Sequence, residues 1–257
     1  MTGLDQEQVD WLYEHIETMI EWDAPTGRPH VLPLHTALVV VLFVLRHNLP
    51  DDVTGELFGC SGSTVERYQD DLEPLIDVCL MPLYEEIRAQ AHRDAVLVDG
   101  LVAPVGERDG VPGLHSGKKH ITGQNVQVVS TLSGRLADVG EPCPGSMHDS
   151  RAFVASGSAE RWANHYEQGV PRMTGDKGYQ GTGINTPYKK PPGRDLSDAK
   201  KLCNTEINKV RAAVERAIAH LKCWKILKTG FRRSLDEFPA VLRTVTKLEV
   251  FRVYGLY

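Results

Sequence analysis

Three acidic residues stand where an α/β chain could use them together. Asp99 closes the apolar run Ala95-Val96-Leu97-Val98 and is followed by Gly100, a pattern that predicts a buried strand carrying its carboxylate to the strand's carboxyl end. Asp176 lies 77 residues further on, in Gly175-Asp176-Lys177-Gly178, where glycines let the backbone turn tightly beside the acid. Glu215 follows 39 residues later, one position from a helical apolar stripe. Carboxylate oxygens are ligands for Mg²⁺ or Mn²⁺, and nothing soft is placed to favour zinc. If the three converge, they could hold two metal ions about 4 Å apart and support in-line phosphoryl transfer. Lys118, Lys119, His120, Lys177, Arg211 and Arg216 would then supply positive surroundings for phosphate. Lone acids at such places also make turns, caps and surface ion pairs, so the chemistry depends on convergence.

The elements that must position these groups follow from periodicity. Apolar residues at Val9, Leu12, Ile16, Met19 and Ile20 predict an amphipathic helix. A Pro/Gly turn over Pro25 to Pro33 precedes a more buried helix from His35 to His47, ended by Asn48-Leu49-Pro50. Asp51 to Tyr68 has the grammar of a helix-turn-helix: a short helix, the turn at Gly59, and a second helix capped by Ser61 or Ser63 with Val65 facing inward. Arg67 is the single cation that second helix offers to DNA, so plain packing of two helices remains an equal reading. More helix runs from Leu72 to Ile87, interrupted at Pro74 and Pro82.

Beyond a junction at Arg88 to Asp94, the chain turns to strands. Residues 101–105 continue extended after Asp99, and strands at Asn125 to Ser130 and Arg135 to Val139 pair through Leu132-Ser133-Gly134, giving an antiparallel start to a sheet. Cys143 to Asp149 is a loop entering a helix. Val170 to Gly181 brings the second acid from strand to loop, and Tyr188 to Leu196 is an irregular basic loop. Asn204 to Leu227 reads as a long helix with Ile207, Val210, Val214, Ile218, Leu221 and Trp224 on one stripe, Trp224 as core. Pro239 to Leu256 forms a last helical segment.

Composition narrows the classes. A chain of 257 residues with 41% hydrophobic content buries a sizeable core. Five cysteines without a CxxC pair suit a reducing cytosol. The longest apolar run, Ala37 to Leu45, is well short of the roughly eighteen residues a membrane span needs, and no signal-peptide core is present. The net charge of −5 hides an asymmetry: residues 1–98 carry 5 Lys+Arg against 18 Asp+Glu, and the remainder 24 against 16. A positive back half around clustered acids suits a polyanionic substrate, while the acidic front opposes nonspecific DNA affinity along the whole chain.

Five segments carry a resemblance. Val98-Asp99-Gly100, Gly123-Gln124-Asn125-Val126-Gln127, Gly145-Ser146-Met147-His148-Asp149-Ser150, Gly175-Asp176-Lys177-Gly178-Tyr179-Gln180-Gly181 and Val214 to Lys222 occur in the order seen in DDE-type transposases of the bacterial IS5-like group, which also resemble Harbinger-derived nucleases. The likeness spans about residues 30 to 250. It implies an α/β fold: an RNase H-like mixed five-stranded sheet flanked by helices, residues 93–257, preceded by an all-helical module with a helix-turn-helix, residues 1–92. It implies Asp99, Asp176 and Glu215 as catalytic metal ligands, with Mg²⁺ or Mn²⁺ as cofactor, two ions once DNA is bound.

The partners implied are double-stranded DNA, as element terminal inverted repeats and target DNA, and further copies of the chain in a dimer or larger assembly. The place implied is the bacterial cytoplasm, on the nucleoid. The His148-Asp149 pair could face DNA or metal, and Asp149 could equally cap a helix. Lys177 is expected on phosphate; Tyr179 could stack on a frayed base or pack into the sheet; Gln180 could meet substrate or serve a turn. Leu101 stands where many members have threonine. A domesticated hydrolytic nuclease, and a noncatalytic DNA-binding or assembly protein, are the competing functions.

Overall fold

The computed structural model describes residues 1–23, 29–166 and 171–255. The turn expected over Pro25 to Pro33 lies partly outside the described residues, as do Val170 and Leu256. Two compact units are present, Met1–Glu85 with Leu221–Tyr257 and Glu86–His220.

The first unit is helical. Helix α1 (Gln6–Glu17) starts at a capping box in which Asp5 accepts from Gln8 N–H while Gln8 reaches back to the Asp5 N–H, and it buries Val9, Leu12 and Ile16. Helix α2 (Leu34–His47) is buried through most of its length and ends at Asn48 in the left-handed conformation. Asn48 tolerates that backbone, and its side chain donates to Thr229 Oγ1 at 2.7 Å and Gly230 O at 2.9 Å. Helices α3 (Asp51–Phe58) and α4 (Gly62–Ala91) meet at a tight turn. A Cβ at Gly55 would lie 2.5 Å from Cys60 O, so only glycine allows that approach. Of the two expected caps, Ser61 accepts from Thr64 N–H, and Val65 faces inward, fully buried.

Helix α4 corrects one expectation: it runs unbroken through Pro74 and Pro82. Both prolines are exposed, so the carbonyls they leave without a helical donor face water, which removes most of the penalty. The last helix, α8 (Phe238–Tyr254), packs with α1, where Gln8 Nε2 donates to Phe251 O at 3.0 Å. Arg233, just before it, donates to Glu73 at 2.7 Å and Gln69 at 3.2 Å on α4.

The second unit is built on a mixed sheet. Strands β1 (Val96–Pro104), β2 (His115–Ser116), β3 (Ile121–Thr131), β4 (Leu136–Val139), β5 (Cys143–Pro144) and β6 (Met173–Thr174) lie in the order β2-β3-β1-β6, with β4 and β5 also on β3. All pairs are antiparallel except β6, which runs parallel to β1. The sheet has six strands where five were expected: β1, β3, β4 and β6, with β2 and β5 as two-residue ladders along β3.

Helices cover both faces. Leu97 packs against Ala213, Val214 and Ile218 of α7 (Asp198–Leu221). Val96, Val98 and Val129 face the other way, against Phe153 of α5 (Asp149–Ala155), Trp162, Met173 and Tyr179. Helix α7 ends at Leu221 rather than Leu227, and Trp224 lies beyond it, fully buried and donating to Glu249 at 3.0 Å.

Candidate active site

Asp99 lies within β1 rather than at its end, opposite Val128 of β3. β6 pairs with β1 only through Val96↔Met173 and Leu97↔Thr174. Two residues later the β6 side of β1 is therefore open, and the open edge takes the part that a strand terminus was expected to play. Side chains alternate along a strand, so Asp99 shares the α7 face with Leu97. Arg211 of α7 meets it there, Nη2 to Oδ2 at 3.2 Å.

The second acid follows β6 after Gly175. Asp176 is extended, and its Oδ1 accepts from Gly178 N–H at 2.6 Å to start a single 3₁₀ turn over Lys177–Tyr179. Asp149, at the start of α5, comes from the opposite sheet face. A Cβ at Gly100 would stand 2.6 Å from Asp149 Oδ1, and one at Gly178 would stand 2.7 Å from Asp176 Oδ1 and 3.0 Å from Asp149 Oδ2. Two glycines thus leave the room that brings these carboxylates together. Glu215 lies one turn beyond Arg211 on α7, exposed.

These groups line one cleft of about 320 Å³, which holds Asp99, Asp176 and Glu215 together with Lys118, Lys119, His148, Asp149 and Arg211. Lys118 sits between two acids, its Nζ 3.1 Å from Asp149 Oδ2 and 3.6 Å from Asp176 Oδ2. It is presented by the β2–β3 hairpin, whose turn is closed by His120 N–H donating to Ser116 O at 2.7 Å, with His120 at a left-handed φ of 53°. Burial pushes the Asp99 carboxyl up from its ordinary value, against the opposing pull of Arg211 and the Gly100 N–H. The same three aspartates raise the Lys118 ammonium, against its partial burial.

Other expected contacts lie elsewhere. Lys177 and His120 are exposed but do not line the cleft. Arg216 is one residue round the helix from Glu215, and its guanidinium reaches Ser133 O at 3.4 Å in the β3–β4 turn. Arg67 belongs to the other unit, exposed on α4. Of the two readings of Tyr179, the packed one is found: the ring is fully buried and its hydroxyl donates to Gln127 Oε1 at 2.6 Å, so no base can stack on it. Gln180 donates to Pro187 O at 3.0 Å, a loop-shaping bond. His148, not Asp149, caps α5, its Nδ1 accepting from Ser150 N–H.

Among the described residues no three His, Cys, Asp or Glu side chains stand close enough to hold a metal ion. The donor set nevertheless fits a hard cation. Asp99, Asp149 and Asp176 each give one oxygen to a protein donor and turn the other to a cation, and Lys118 already bridges two of them. Arg211 Nε is buried there with no hydrogen-bond partner among the described residues.

Fold and cleft together define a mixed α/β enzyme domain in a chain that also carries a helix-turn-helix. Residues 111–249 match the DDE superfamily endonuclease family, and residues 30–82 match the helix-turn-helix of DDE superfamily endonuclease. A putative transposase for insertion sequence element IS112 from Streptomyces albus G is 35% identical over 205 residues, covering 79% of this chain and 74% of the relative. A probable transposase for insertion sequence element IS702 from Microchaete diplosiphon is 37% identical over 256 residues, covering 93% and 87%. No solved structure matches. The chain belongs to the DDE superfamily endonucleases. That membership makes α3 and α4 a DNA-binding helix-turn-helix, and it carries a general dependence on divalent metal. Among the described residues no helix is long and apolar enough to cross a membrane.

Proposed function

We propose that this chain is a metal-dependent DNA endonuclease and strand transferase, the transposase of an IS5-like mobile element. One observation carries the reading: Asp99, Asp176 and Glu215 line a single cleft, in a chain of the DDE endonuclease family. These three would hold Mg²⁺ or Mn²⁺, two ions when DNA is bound. The bound metal supplies Lewis acidity at the scissile phosphate and at the attacking oxygen.

The chain's own groups do the rest. Gly100 N–H and Gly178 N–H fix one oxygen of Asp99 and of Asp176 and leave the other toward the cleft. Arg211 and Lys118 neutralise those oxygens in the resting protein and turn to nonbridging phosphate oxygens when DNA enters. Lys119 and His148 extend the positive lining, Lys177, His120 and Arg216 meet phosphates further along the duplex, and Arg67 makes a backbone contact from the helix-turn-helix.

Water attacks a phosphorus at the element's end, forming a new P–O bond as the P–O3′ bond breaks. The released 3′-hydroxyl then attacks target DNA in the same sense, expelling another 3′-oxygen. Residues 1–92 recognise terminal repeats and residues 93–257 cut and join. Holding two element ends requires a dimer or larger assembly on DNA, and the place of action is the bacterial nucleoid in the cytoplasm.

The test is cleavage of a duplex bearing the element's end, with Mg²⁺ or Mn²⁺, beside Asp176→Ala. Metal-dependent cleavage lost in the variant supports the reading. Binding without cleavage by the unaltered protein overturns it in favour of a DNA-binding or assembly role. Cleavage without joined target products identifies a hydrolytic nuclease instead.

A further inference from the structure

Three aspartates face the cleft in one pattern, and only two of them belong to the expected set. Asp99 Oδ1 accepts from Gly100 N–H at 2.8 Å, and Asp176 Oδ1 accepts from Gly178 N–H at 2.6 Å. Asp149 Oδ1 accepts from Asn125 Nδ2 at 3.2 Å. In each case the second oxygen is turned to a cation, Arg211 for Asp99 and Lys118 for the other two. Asp149 therefore stands in the cleft as the other two aspartates do.

Its support differs in kind. The oxygens of Asp99 and Asp176 are fixed by neighbouring backbone, whereas Asp149 is held by a chain of side chains that starts in the core. The Tyr179 hydroxyl donates to Gln127 Oε1 at 2.6 Å, and Gln127 Nε2 donates to Asn125 Oδ1 at 2.8 Å. Asn125 Nδ2 then donates to Met147 O at 2.9 Å and to Asp149. The polarity runs one way. An amide oxygen occupied by the phenol leaves Gln127 only its NH₂ for Asn125, which in turn leaves Asn125 only its NH₂ for the carboxylate.

Tyr179 and Gln127 are fully buried and Asn125 is 3% exposed. Polar groups in such positions cost about 1–3 kcal/mol each when unpaired, so apolar residues on this strand face would be the simpler core. Helix capping does not account for Asp149, because His148 makes the cap and neither carboxylate oxygen bonds to a backbone N–H among the described residues. The chain of bonds ends on the Met147 carbonyl, which shapes the turn before Asp149, and on the Asp149 carboxylate in the cleft.

We infer that Asp149 is a further cation-facing carboxylate of this cleft, acting beside Asp99 and Asp176, and that Asn125, Gln127 and Tyr179 are its positioning residues. The inference rests on the function proposed above.

The experiment is Mn²⁺ titration of the full chain, free and bound to an end-bearing duplex, followed by calorimetry or by the Mn²⁺ electron spin resonance signal. The unaltered protein is compared with Asp149→Asn, Tyr179→Phe and Asp176→Asn, at a temperature where circular dichroism shows all four folded. Asp149→Asn is expected to weaken Mn²⁺ binding by about 10-fold to 100-fold, and Tyr179→Phe by about 3-fold to 10-fold. A merely structural role for the tyrosine would lower the melting temperature without moving the affinity of the folded protein. Unaltered affinity in both Asp149→Asn and Tyr179→Phe, with Asp176→Asn impaired, overturns this inference alone. No Mn²⁺ uptake by the unaltered protein, free or on the duplex, overturns it together with the function on which it rests.

Discussion

Gly100→Ala is the sharpest test of how the cleft is built, because the backbone at Gly100 permits an alanine and only space forbids it. The added Cβ would stand 2.6 Å from Asp149 Oδ1 and 3.4 Å from its Cγ. Restoring ordinary contact needs a displacement of about 0.8 Å, taken by the Asp149 side chain because β1 is locked to β3 along its whole length. A shift of that size stretches the 3.2 Å bond from Asn125 past hydrogen-bonding distance and carries Asp149 away from Lys118. Overpacking of this kind costs about 1–3 kcal/mol, a fall in melting temperature of about 2–10 °C for a chain of this size.

The functional loss should be larger than stability explains. A misplacement of about 1 Å near reacting groups can cost about 100-fold in rate. The assay is metal-dependent cleavage of an end-bearing duplex, with melting measured on the same samples. Gly230→Ala is the control: its φ of 104° strains an alanine, yet nothing lies within 4 Å of the added carbon, so it should lose stability and keep cleavage. Gly100→Ala with wild-type cleavage and wild-type melting would refute the reasoning.

Other outcomes follow from single features. Burial pushes the Glu73 carboxyl up to about 7, although Arg233 at 2.7 Å pulls it down. A carboxyl raised in the folded state binds its proton more tightly there than in the unfolded chain. Stability from this group should therefore fall as pH rises from about 4.5 to about 7 and level above, by up to about 3 kcal/mol. Denaturant unfolding between pH 4.5 and 8 should show that slope, flattened in Glu73→Gln.

Asn48→Ala loses two hydrogen bonds and places alanine at a φ of 53°, for about 2–4 kcal/mol. Asn48→Gly keeps the backbone geometry and should lose less; equal losses in denaturant unfolding would contradict that account. Lys118→Ala should weaken duplex DNA binding and lower the slope of log affinity against log salt by about 1, measured by fluorescence anisotropy. An unchanged slope would remove Lys118 from the phosphate contacts.

Much of the candidate site was legible in sequence order. Asp99 was marked by the apolar run before it, Asp176 by its glycines, and Glu215 by its place beside a helical stripe, because strand and helix periodicities are local properties of the backbone. The turn between α3 and α4 was legible for the same reason, since tight turns and caps select residue types within a few positions.

Other features had no local signature. Asp99 lies in mid-strand, beside an edge of β1 that β6 leaves unpaired after Leu97, and its side chain meets Arg211 in the cleft. Pro74 and Pro82 read as helix breaks, yet their carbonyl partners face solvent and α4 continues. Asp149 read equally as a cap and as part of a pair near DNA or metal. Its position depends on Asn125, 24 residues away, which in turn depends on Gln127 and on Tyr179, 52 residues beyond that. Residue type and spacing along the chain determined which groups could bind a cation, because those are covalent facts. Which carboxylates stand together was decided by the sheet, because hydrogen bonds and steric room act through space, and only folding brings residues 100, 125, 149 and 176 within reach of one another.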